Sequence, residues 1–361
     1  MKKDLALIKK ILHIVFRIFS ALLLFTLVVS AIVFGSAIYL NAPPRESPLS
    51  SEDALRIEDD GRLYIEIRNG ETANSVGRRL EQAGIIRSSF LWSLLFRLDG
   101  EFVKTGRYSL EIPASLLEIR SLLIKGEQLL VRVTIPEGYT LSQTARVFEN
   151  EGICTAEDFI AASSSREILE AFNIPAETLE GYLFPDTYLF QQSFPAARVI
   201  ETMVNNFFRR LYEIAPASLS MDPAEINDKV ILASIIEREY RSPEEAALMA
   251  GVFNNRLGIG MSLQSCATVV YVITEILGRP HPERLFYVDL EIRSPYNTYI
   301  HPGLPPAPIS SPGMVSLRGV FFPESSNYLY FRLIDPSLGR HYFSRTLDEH
   351  IQAGTLYVKG W

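Results

Sequence analysis

The chain has 361 residues, 47% of them hydrophobic and 21% charged, with a formal net charge of −7. This is an ordinary globular composition with room for about two domains beyond an anchor, and its acidic balance argues against a nucleic-acid partner, whose phosphates need a basic face. The two cysteines, Cys154 and Cys266, form neither a disulfide framework nor a zinc spacing, and the five histidines are scattered, so no metal site and no cofactor are expected.

Lys2, Lys3, Lys9, Lys10 and Arg17 precede an uncharged stretch, Ile18 to Leu40, long enough to cross a bilayer as a helix. The positive flank predicts a cytoplasmic tail (1–17) and a single-pass helix (18–40) in the cytoplasmic membrane, with the rest on the extracytoplasmic side. A cleaved signal peptide is the competing reading, with Gly35-Ser36-Ala37 as a weak cleavage site, but its apolar region is unusually long for one. Beyond the tail the chain carries 30 Lys+Arg against 41 Asp+Glu, which suits a soluble domain and disfavours a second, electrostatic membrane contact. Residues 41–62, with Pro43, Pro44, Pro48 and several serines, read as a linker that holds the outer part off the membrane.

Two similar units come next, 63–130 and 131–190. Ile65-Glu66-Ile67-Arg68-Asn69-Gly70-Glu71-Thr72 aligns with Val133-Thr134-Ile135-Pro136-Glu137-Gly138-Tyr139-Thr140, and the match runs on through Glu81 and Glu149, Gly84 and Gly152, Ile85 and Ile153. Each predicts a strand, a glycine turn and a helix, Ala73–Ala83 in the first and Leu141–Glu151 in the second. Thr72 and Thr140 are placed as N-caps, and Gly84 and Gly152 as C-terminal caps. Both units resemble the LysM module, a small fold often used to hold peptidoglycan sugars. Neither shows a cluster of exposed aromatics, so a structural spacer is at least as well supported as a glycan-binding pair.

Glu180 to Tyr188 reads as a shaped loop, Pro195–Glu213 as an amphipathic helix, and Pro216–Asp228 as loop. Asp228–Arg241 then predicts a helix whose apolar run ends abruptly in Glu237 and Glu239. At helical spacing Val230, Ala233 and Ser234 share the stripe that carries Glu237. A carboxyl reached along an apolar face loses water, keeps its proton to higher pH, and can donate it to a leaving oxygen. The plainer alternative is the solvated end of a core helix. A helix over Pro243–Arg256 should stop at Gly258 and Gly260, and Val269–Ile276 is undecided between helix and strand. Ser294–Gly313 holds six prolines and reads as an ordered, cleft-lining loop. Tyr328–Ile334 and His341–Ser344 read as a hairpin, with a short helix after Thr346. The whole is α+β, with residues 191–361 as the catalytic domain.

Several of these stretches together resemble one family: Thr134-Ile135-Pro136-Glu137-Gly138, Glu180-Gly181-Tyr182-Leu183-Phe184-Pro185-Asp186-Thr187-Tyr188, Leu232-Ala233-Ser234-Ile235-Ile236-Glu237, Phe253-Asn254-Asn255-Arg256-Leu257, Gly260-Met261-Ser262-Leu263-Gln264, and Ser294-Pro295-Tyr296-Asn297-Thr298-Tyr299. They look like the membrane-anchored endolytic murein transglycosylases (MltG, or YceG-like, proteins). The resemblance implies cleavage of nascent peptidoglycan strands between N-acetylmuramic acid and N-acetylglucosamine, leaving 1,6-anhydro-muramic ends and ending strand elongation beside peptidoglycan synthases. It puts the catalytic acid at Glu237. Gln264, Tyr296, Asn297 and Thr298 are expected to face the same groove, since a sugar site needs amides for hydroxyls and an aromatic face for the ring. Where the family commonly has Asp-Pro, this chain has Cys266-Ala267. Two alternatives stay open. One is a muramidase-type hydrolase with Glu239, Glu180 or Asp186 as a second carboxylate, Glu239 being poorly placed two residues along a helix. The other is a non-catalytic peptidoglycan-binding scaffold.

Overall fold

The structure, a computed structural model, describes residues 2–44, 55–57, 63–68, 70–126 and 130–356. It is a mixed α+β chain that divides into two compact units, Met1–Leu129 and Leu130–Trp361. Most of the expected linker, 45–54 and 58–62, lies outside the described residues.

The first unit opens with α1 (Lys2–Asn41), whose segment Phe16–Asn41 is apolar enough to cross a membrane, at a mean hydropathy of 2.6. The end of α1 is fastened to the rest of its unit. Asn41 Oδ1 accepts from Leu117 N at 3.0 Å, and the Arg87 guanidinium donates to Pro43 O at 2.8 Å and lies over the Tyr39 ring. Residues read as the start of a linker therefore dock on their own unit. β1 (Leu55–Ile57) also falls within the expected linker and pairs antiparallel with β2 (Leu63–Ile67). α2 (Ala73–Gln82) and α3 (Ser89–Asp99) lead to β3 (Gly106–Leu110), which pairs antiparallel with the other edge of β2. α4 (Leu116–Lys125) closes the unit. Trp92 on α3 fills the core beside Ile65, Leu80 and Tyr108, and its indole N–H donates to Ala73 O at 2.8 Å, so its one polar atom is satisfied.

The second unit repeats that order. β4 (Val131–Thr134) is followed by α5 (Leu141–Asn150), α6 (Ala156–Ser163) and the short α7 (Arg166–Ala171) before β5 (Thr187–Phe190), which pairs antiparallel with β4, Thr134 opposite Thr187. Thr72 and Thr140 cap α2 and α5 as expected, accepting from Ser75 N and Gln143 N, and Gly84 and Gly152 take up left-handed conformations just past the helix ends.

The chain then becomes helical. α8 (Ala196–Ile214) is followed by α9 (Pro223–Glu239), which starts five residues earlier than expected. Pro223, read as loop, is the first helical residue, where a missing N–H costs nothing, and the Asp222 carboxylate caps it by accepting from Ala224 N at 2.8 Å. Val230 through Ile236 are all buried, so α9 is apolar on every side rather than along one stripe. It is enclosed by α10 (Ala246–Gly258), α11 (Cys266–Tyr271) and α12 (Met314–Phe321). The undecided stretch after Val269 is helical, ending in a wider π turn at Val272–Ile276. The hairpin is β6 (Tyr330–Asp335) with β7 (Arg340–Ser344), followed by α13 (Leu347–Leu356).

Two polar side chains tie these pieces to α10. Arg256, buried, donates to Leu263 O at 2.6 Å and to Leu329 O at 2.6 Å, and Asn255 Nδ2 donates to Ser326 O and Tyr328 O. The guanidinium fork reaches carbonyls that no helix or strand would satisfy.

Candidate active site

Glu237 lies in the last turn of α9, where the helix leaves the core and its side chain becomes half-buried. The proline-rich loop before α12 is bound to the preceding turn. Ile309 N donates to Ser234 Oγ at 2.9 Å, Ser310 Oγ donates to Ser234 O at 3.1 Å, and Gly181 (φ +85) approaches so closely that a Cβ there would lie 2.4 Å from Pro308. These ties aim the N-terminus of α12 at Glu237. Gly313 N donates to Glu237 Oε2 at 2.8 Å, and Ser316 Oγ donates to the same oxygen at 2.5 Å. Among the described residues, only Tyr240 OH bonds the other oxygen, Oε1, at 3.4 Å. One carboxyl oxygen is therefore held by two donors and the other by a single, longer bond.

Burial pushes the Glu237 carboxyl above its ordinary range; the Ser316 and Gly313 bonds oppose this, and the nearby Glu137 charge adds to it. Glu137 arrives on the loop between β4 and α5, about a hundred residues upstream. Its exposed carboxylate covers Gly313 so closely that a Cβ on that glycine would sit 1.9 Å from Glu137 Oε1. Adding the covalent geometry of Gly313, the two carboxylates lie at most about 7 Å apart. The loop that carries Glu137 is pinned on both sides: Gly138 N donates to Ser311 O at 2.9 Å, Ser311 N to Tyr139 O at 2.8 Å, and the Arg238 guanidinium to Gly138 O at 2.9 Å. The sequence motif contained Glu137, but nothing local connects it with Glu237.

The expected substrate residues are neighbours, Gln264 N donating to Thr298 O at 3.1 Å, but their side chains differ in exposure. Gln264 is exposed, at φ +52, and lines a cavity of about 340 Å³ together with Glu239, Arg256, Cys266, Tyr299 and His350; Glu237 is not among its walls. Tyr296, half-buried, packs against Tyr271 with ring centroids 5.1 Å apart and the rings tilted by 39°. Asn297 and Thr298 are buried, and their polar atoms serve the loop itself. Asn297 Nδ2 donates to Leu290 O and Ile292 O, and its Oδ1 accepts from Tyr299 N. Thr298 Oγ1 accepts from Ser265 N and pairs with Thr268 Oγ1. Both brace the loop through these bonds.

The alternative second carboxylates are also committed. Glu180 is buried with both oxygens accepting from Leu141 N at 3.0 Å. Asp186 accepts from Asn206 Nδ2 at 3.1 Å and from Arg210 at 3.4 Å, and these bonds hold it below its ordinary range against the opposing effect of burial. Glu239 turns away from Glu237 and accepts the hydroxyl of Ser265, the N-cap of α11. At the departure from the family pattern, Cys266 opens α11 and its Sγ lies 3.1 Å from Tyr299 OH.

The sequence profile of the YceG-like family matches residues 65–355. A Streptococcus pneumoniae (strain R6) protein named endolytic murein transglycosylase is 28% identical over 328 residues, which are 83% of this chain and 59% of the relative. The chain thus spans about three fifths of that relative's length. A Bacillus subtilis protein of the same name is 29% identical over 323 residues, 84% of this chain and 87% of the relative. The crystal structure of a yceG-like protein from Listeria monocytogenes superposes with a TM-score of 0.53 at 31% identity, covering 81% of this chain and 98% of the other.

Proposed function

We propose that this chain, which belongs to the YceG-like family, is a membrane-anchored endolytic lytic transglycosylase that cleaves peptidoglycan strands between N-acetylmuramic acid and N-acetylglucosamine. The observation that carries this reading is the half-buried Glu237 carboxyl, with one oxygen fixed by Gly313 and Ser316 and the other bonded only at 3.4 Å, by Tyr240 OH, among the described residues. Two relatives named endolytic murein transglycosylase support it.

A half-buried carboxyl that burial pushes above its ordinary range holds its proton to higher pH, which suits general-acid work. Glu237 gives its proton to the glycosidic oxygen. The bond from that oxygen to C1 of the muramic acid breaks, and the electron pair leaves with the oxygen. The C6 hydroxyl oxygen of the same sugar then bonds to C1, and its proton passes to the Glu237 carboxylate. The acid is restored, no water is consumed, and the new end is a 1,6-anhydro sugar. The Gly313 N–H and Ser316 hydroxyl stabilise the carboxylate in the interval when it is charged.

The order strand, helices, antiparallel strand in both β2–β3 and β4–β5 supports the LysM-like reading of the two units. The apolar segment Phe16–Asn41 and the basic residues before it support an anchor with the domain outside and the strands' synthases within reach as partners. Protease added to spheroplasts is accordingly expected to digest everything beyond α1; a protected domain contradicts that topology. The reading as a whole is tested by incubating the full-length chain with long, uncross-linked glycan strands and following product length. Endolytic cleavage yields mid-length fragments early. Disaccharides alone contradict internal cleavage, and unchanged strands support the scaffold alternative.

A further inference from the structure

We propose that Glu137 is a second functional carboxylate of this centre, a positioning residue that acts through Glu237: facing it across Gly313, it favours the form of Glu237 that holds the proton for the leaving oxygen. The proposal rests on the transglycosylase reading and extends it to a residue that the proton path does not use.

Four features support it. The carboxylate of Glu137 occupies the space that a side chain on residue 313 would fill, and it is exposed, so its charge stands at the mouth of the site rather than in the core. Its loop is held at Gly138 and Tyr139 by the same proline-rich loop that delivers Gly313. Arg238, the nearest cation along α9, donates to Gly138 O, a backbone atom, so its hydrogen bond goes to the loop rather than to either carboxylate. Finally, α12 presents Glu237 with only a backbone N–H and a hydroxyl. Among the described residues, the titratable and charged groups near Glu237 include Glu137 from the β4–α5 loop and, on or just past its own helix, Arg238, Glu239 and Tyr240, with Arg241 and Glu275 acting on Arg238. Among these Glu239 is turned toward Ser265. Like charges at this spacing disfavour double ionisation, so the buried member keeps its proton.

The proposal predicts a change in pH dependence rather than a simple loss. Cleavage by the full-length chain in detergent is measured as new strand ends of either kind across pH. Glu137→Gln is expected to move the alkaline limb of the rate about one unit toward acid, with about a tenfold lower rate on that limb and a near-normal rate below it. Glu137→Asp keeps the charge and is expected to restore most of the limb. Gly313→Ala provides a second variant, because its Cβ displaces a flexible, exposed side chain and so moves the charge without removing it; its limb is expected to shift in the same direction. An unshifted limb in Glu137→Gln overturns the proposal. So does equal loss at every pH in a variant with a normal thermal melt, which makes Glu137 a reacting group or a structural one. The nature of the ends, anhydro or reducing, reports separately on the reaction, so failure of the function and failure of this role are told apart.

Discussion

Glu237→Gln is expected to lose strand cleavage by about 10²–10⁴-fold, the usual worth of general acid–base catalysis, and by more because one group serves both steps. Glutamine keeps the shape. Its amide oxygen can still accept from Gly313 N and Ser316 Oγ, but it has no proton to give the leaving oxygen. The variant should fold at least as well as the parent. Burial raises the folded-state pKa of Glu237, so its stabilising contribution is full below the ordinary glutamate pKa and is lost as pH rises through the folded value. Glutamine does not ionise and so lacks that loss. Glu239→Gln is the control: that carboxyl faces Ser265 and the neighbouring cavity, and most activity should remain. Muropeptide analysis with thermal melts separates these outcomes. Near-normal cleavage by Glu237→Gln moves the assignment to another carboxylate, and inactivity with a collapsed melt leaves only a structural role.

Glu180→Gln is expected to change stability rather than chemistry. Burial pushes Glu180 up to about 8; its bond from Leu141 N opposes this, and the Glu275 charge adds to it. Because the folded pKa is raised, the wild type loses stability as pH rises from the ordinary glutamate range through about 8. At 1.36 kcal/mol per unit for one proton, the loss between about pH 5 and 8 is on the order of 3 kcal/mol. Glutamine accepts the Leu141 bond without ionising, so its denaturation midpoint should fall less steeply than the parent's over that range and exceed it at pH 8 to 9. Parallel pH profiles for the two proteins contradict this account of Glu180.

What could be read from the sequence was what depends on near neighbours. Thr72 and Thr140 announced their caps because a hydroxyl three residues before a free N–H is a local pattern. The end of α10 followed from Gly258 and Gly260, and the hairpin from its alternating strands and turn. Pro223 was misread because the same residue that breaks a helix interior is welcome at its first position. The polarity of Asn297 and Thr298 is visible in the sequence and their burial is not; a loop with six prolines needs side chains to satisfy its own backbone. Glu137 had the right chemistry but stood a hundred residues from its partner. Only the contact between the β4–α5 turn and the loop before α12 brings the two carboxylates to one glycine.

The central claim is that Glu237 returns its proton to itself by way of the muramic acid's own C6 hydroxyl, so that water never enters the bond. It is tested most directly by letting the full-length chain cleave glycan strands in heavy-oxygen water and weighing the new ends by mass spectrometry. The account predicts 1,6-anhydro ends, one water lighter than reducing ends and free of the label. Reducing ends that carry the heavy oxygen contradict it and identify a hydrolase.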